Sequence, residues 1–143
     1  AVYSLLNTCV CRIKLEETDT MKKEIAAFQK ERVANDWPAK LLQFFAETLD
    51  EEALLKQAQS RDKRKTLEQK CEAYYYIGRK QLAENKVADA IVSFKNCIDT
   101  GCTHFVEHRS AGILEKALSS KKPIDDSNGD ITDEESKKEP EQK

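Results

Sequence analysis

Apolar residues along this 143-residue chain recur at intervals of three and four, and seldom at two. That spacing marks one face of an α-helix and argues against strands. Val2, Leu5, Leu6, Cys9, Val10 and Ile13 form a first stripe; Ile25, Phe28 and Val33 form a weaker one after the start signal "ETDT". "NDWP" offers a capping residue and a first-turn proline for "AKLLQFFAE". Thr48 and Glu51 have capping-box spacing, and Thr66 and Gln69 repeat it before "CEAYYYIGRKQLAEN". The pattern predicts an all-α fold, with antiparallel helix pairs near 38–58 and 68–99 and a capping helix near 104–118.

Residues 71–99 carry the clearest pattern. Ala73, Tyr74, Ile77 and Gly78 share one helix face, and Val87, Ala90, Ile91, Phe94, Cys97 and Ile98 share one face of the next. Asn85 and Gly101 are placed to end the two helices in left-handed conformations. Glycine inside a helix costs about 1 kcal/mol relative to alanine, so Gly78 predicts close approach by the neighbouring helix at Ala90. The tyrosine run divides by face: Tyr74 toward the core, Tyr75 opposite, Tyr76 between.

A longer period runs through the same region. Trp37, Cys71 and Phe105 lie thirty-four residues apart, and in that register Phe44, Gly78 and Gly112 coincide. With Tyr74, Ile77, Gly78, Ala90 and Phe94 at its aromatic, leucine, glycine, alanine and phenylalanine places, residues 71–104 resemble a tetratricopeptide repeat (TPR). Gln81, Asn85, Cys97 and Cys102 depart from that pattern. The stretches "WPAKLLQFFAETLDEEALLKQA", "CEAYYYIG" and "FVEHR" are similar to the closing repeats of bacterial TPR proteins, some of them cell-envelope lipoproteins. The resemblance covers roughly residues 37–118. It implies helix–turn–helix units in a short right-handed superhelix, with residues 1–36 as a degenerate repeat or capping helices. It also implies an adaptor or scaffold whose concave groove receives a peptide or partner helix, and no catalysis.

The residues themselves suggest where such a groove lies. The core-facing set of 71–84 leaves Glu72, Tyr75, Arg79 and Leu82 on the opposite side. The same register adds Leu41 and Phe45 from the preceding helix and Val106, Arg109, Ile113 and Lys116 from the following one. A floor of Leu41, Phe45, Tyr75 and Ile113, flanked by Arg79, Arg109 and Lys116, suits an acidic peptide with apolar anchors. These positions equally suit contact with neighbouring repeats or a second copy of the chain, which makes self-assembly the alternative function. Chaperone C-termini are not expected as ligands, because Tyr75 and Arg79 stand where the family's carboxylate clamp has lysine and asparagine.

Charge and composition narrow the partners. A net charge of −2 gives no global attraction to nucleic acid or an anionic membrane, and the first apolar stretch is too short to span a bilayer. The basic run "SRDKRK" reads as a solvated loop. Five cysteines, an odd number, favour unpaired thiols and a cytoplasmic setting, with a periplasmic or envelope-attached one as the alternative. His104 and His108, with Cys97 and Cys102 upstream, have no familiar zinc-ligand spacing, so no metal or cofactor is expected. From Ser119 the chain becomes charged, Ser-rich and free of aromatic residues, which predicts a disordered acidic tail over 119–143. Within it "DSNGDITDEE" is an incomplete EF-hand loop, and the acids around Ile124 and Ile131 complement Arg79, Arg109 and Lys116.

Overall fold

The computed structural model describes residues 1–120, which form seven helices. They are α1 (Val2–Lys14), α2 (Thr18–Glu31), α3 (Trp37–Phe45), α4 (Glu51–Gln57), α5 (Lys63–Ala83), α6 (Val87–Asp99) and α7 (Val106–Ser120). No strand occurs among the described residues. α7 continues two residues past the expected boundary, and the acidic segment with its EF-hand-like stretch lies outside the described residues.

Local chemistry accounts for the helix ends. Asp36 accepts from the amide of Ala39, with Pro38 in the first turn of α3, as "NDWP" predicted. The next two starts differ from expectation. Asp50, not Thr48, caps α4 through Ala53 N, and Asp62, not Thr66, caps α5 through Arg64 N. Both threonine hydroxyls instead donate to carbonyls that precede the helices, Thr48 to Gln43 and Thr66 to Ser60. A carboxylate is the stronger acceptor for amides at the positive end of a helix, and the threonines serve the turns.

Four residues take left-handed backbone: Glu16 at φ 59°, Glu47 at φ 65°, Asn85 at φ 66° and Gly101 at φ 74°. They fall in the connections after α1, α3, α5 and α6, each between two helices that pack against one another. Asn85 and Gly101 are where the sequence placed them. Val33, expected in the stripe of α2, lies beyond that helix and is almost fully exposed.

α5 is the centre of the molecule. It packs against α6 and α7 on one side and against α1, α3 and α4 on the other. Cys71, Ala73 and Ile77 on α5 and Ala90, Phe94 and Cys97 on α6 are fully buried. A Cβ built on Gly78 would lie 2.6 Å from Cε1 of Phe94, so the aromatic ring itself, not the backbone at Ala90, requires the glycine. The tyrosines also rearrange: Tyr76 and Tyr75 are buried and Tyr74 is only half-buried.

Candidate functional site

The position of α1 decides what remains of the expected groove. Its stripe of Val2, Leu6, Cys9, Val10 and Ile13 is buried, and α1 packs against α2, α3 and α5. Tyr3 stands beside Glu72 near one end, while Val10 and Lys14 border the same hollow as Arg79, Leu82 and Ala83 near the other. α1 therefore runs parallel to α5, along the face the sequence had assigned to a ligand.

Half of the expected floor is lost to the core as a result. Leu41 and Phe45 are fully buried, and the Phe45 ring stands edge-on to Tyr76 with centroids 6.2 Å apart. α3 is enclosed by α1, α2, α4 and α5, which explains why "LLQFF" is apolar on two faces. Glu72 is buried as well and accepts from Nε1 of Trp37 at 3.2 Å. Burial pushes its carboxyl up to about 7, against the lowering effect of the neighbouring Tyr3 hydroxyl and the Trp37 hydrogen bond. Neighbouring Glu107 adds repulsion and raises it further.

The other half stays open. A cleft of about 420 Å³ lies between α1, α5 and α7, lined by Val10 and Lys14, by Tyr75, Arg79, Leu82 and Ala83, and by Ser110, Ile113 and Leu114. Nη1 of Arg79 donates to the Tyr75 hydroxyl at 2.6 Å, and its guanidinium carbon stands 5.6 Å from the Tyr75 ring centroid. The side chain is thus fixed over the ring with other N–H groups left to donate. Ile113 is 64% exposed at the rim.

No acidic side chain lines this cleft. The nearby ion pairs are made by Arg12 with Glu17 and Glu24 and by Lys80 with Glu84 and Glu47; among the described residues, Lys14 and Arg79 take part in none. A second hollow of about 370 Å³ contrasts with it. That one is bordered by Glu47, Asp50, Glu51, Glu84 and Asp89, and Lys80 there is already paired.

Of the sequence-derived site, the structure brings together Tyr75, Arg79, Leu82 and Ile113. Val106, Arg109 and Lys116 are exposed on α7 but do not line the cleft. Sequence reasoning missed Val10, Lys14, Ala83, Ser110 and Leu114. The stripe of α1 was visible, but nothing in it says which helix it packs against. His104 is exposed and edge-on to Phe105, and Nε2 of His108 lies 3.1 Å from the Ile98 carbonyl oxygen.

No family model matches the chain, and no curated protein sequence does. Among the described residues no helix is long and apolar enough to cross a membrane.

Proposed function

We propose that this chain is a protein-interaction adaptor of tetratricopeptide type, binding an acidic peptide that carries apolar anchor residues. The observation that carries the reading is the α1–α5–α7 cleft, which has an apolar floor, two cations and no acidic side chain. The packing of each helix against the next and the Gly78–Phe94 contact support the repeat assignment, which implies a right-handed superhelix. The function is binding, not catalysis.

In this reading α1 supplies one wall of the groove and shortens it, so the ligand is a short extended segment and not a long helix. An apolar side chain enters between Leu82, Ile113 and Leu114, while flanking carboxylates meet Lys14 and Arg79. Arg79 is the better recognition group, because its fork can hold a carboxylate through two N–H donors while Tyr75 keeps it oriented.

Fluorescence anisotropy on the full chain tests this, using a labelled peptide of alternating acidic residues and isoleucines and a control with lysine at the acidic positions. The expected result is binding of the acidic peptide alone, weakened by salt and lost in Arg79→Glu and Ile113→Asp. Equal binding of both peptides, or binding untouched by both variants, would refute the proposal.

A further inference from the structure

The polar contacts of the α5–α6 interface include a pair of thiols with no part in the cleft. Cys71 on α5 and Cys97 on α6 are fully buried, and their sulfurs lie 3.5 Å apart. Cys97 Sγ also sits 3.2 Å from the Cys71 carbonyl oxygen and 3.8 Å from that of Glu107, at the meeting point of α5, α6 and α7. Cys102, in the connection between α6 and α7, is 6% exposed and has its sulfur 3.9 Å from the Thr100 carbonyl oxygen. Cys11 is exposed on α1.

We infer that Cys71 and Cys97 form a redox-modification site, which hydrogen peroxide converts to a disulfide tying α5 to α6. Two thiols from different helices already in sulfur contact need a closure of about 1.5 Å to reach bonding distance, a rotamer-scale movement. The pair is chemically unequal. The contact with Cys97 lowers the Cys71 thiol below its ordinary range, while that same contact and burial raise Cys97. Cys71 is accordingly the attacking sulfur and Cys97 the resolving one.

In the first step the Cys71 sulfur attacks one peroxide oxygen. An S–O bond forms, the O–O bond breaks, and the departing hydroxide leaves as water with the thiol proton, giving a sulfenic acid. In the second step the Cys97 sulfur attacks that sulfenic sulfur. The S–S bond forms, the S–O bond breaks, and hydroxide leaves as a second water with the Cys97 proton. Two electrons pass from the thiols to peroxide, and no further reductant or oxidant is required.

The test treats the folded full chain with hydrogen peroxide, blocks remaining thiols, digests without reduction and maps linked peptides by mass spectrometry. The expected product lacks two hydrogens and joins the peptides containing Cys71 and Cys97. Thiol reductant reverses it, and amide hydrogen exchange in α6 slows. The Cys102→Ser variant should form the same link, and Cys71→Ala should not. The mapping on the native chain needs no substitution, so a variant that folds poorly does not blunt it. Absence of the 71–97 link, pairing of either cysteine with Cys102 instead, or oxidation confined to Cys11 would overturn the inference.

Discussion

Phe94 lies with its ring edge 2.6 Å from where a side chain on Gly78 would begin. The two residues form one device, since a fully buried ring on α6 fits only because the facing position on α5 has no Cβ. Gly78→Ala gains about 1 kcal/mol of helix propensity but overpacks a filled site, which costs about 1–3 kcal/mol. The net expectation is a destabilised protein by denaturant titration. Phe94→Ala should cost about 3–5 kcal/mol. In the double variant the alanine at 78 should no longer destabilise, because the ring it met is gone.

Glu16 and Glu47 hold left-handed backbone, where a side chain is strained by about 1–2 kcal/mol. Glu16 is exposed and has no hydrogen bond through its side chain among the described residues. Glu16→Gly relieves the strain at some cost in unfolded-chain entropy, so thermal stability should rise by up to about 1 kcal/mol. Glu47 forms ion pairs with Lys22 and Lys80, and its replacement by glycine should gain less.

Glu72 gives the fold a pH dependence of definite sign. Its carboxyl is raised from 4.5 to about 7, so between those values the folded chain binds a proton that the unfolded chain has released. Stability contributed by the neutral carboxyl is complete below about 4.5, declines as pH rises through the window, and is gone above about 7. Glu72→Gln keeps an acceptor oxygen for Trp37 without the charge. Chemical denaturation from acidic to neutral pH should show a falling stability in the native chain and a flatter course in the variant.

Much of this architecture was legible because local signals and tertiary packing agree. Asn85 and Gly101 end helices because each tolerates left-handed backbone at low cost, and both can be read directly. Glu16 and Glu47 do the same work without being residues that prefer it, so no turn signal marks them. For the same reason the cleft was half legible. Tyr75, Arg79, Leu82 and Ile113 follow from helical spacing on α5 and α7. Leu41 and Phe45 were misplaced because their exposure depends on where α1 docks, and an amphipathic stripe states which side is buried but not against what.

Tyr75 and Arg79 supply the last prediction, which separates positioning from packing within the cleft. Tyr75→Phe retains the ring under the guanidinium and removes only the hydroxyl that accepts from Nη1. Stability should change little, since the ring keeps its burial and the lost bond joins a half-buried partner. Arg79, however, becomes free to sample other rotamers, and a ligand must then order it. The loss of about 1 kcal/mol typical of one hydrogen bond corresponds to roughly fivefold weaker binding of the acidic isoleucine peptide. Arg79→Lys retains charge without the fork and should weaken binding further. Anisotropy and thermal melts on the same samples decide the matter. If Tyr75→Phe binds the peptide as tightly as the native chain, the hydroxyl does not position Arg79 for recognition, and if it melts early, the hydroxyl is structural.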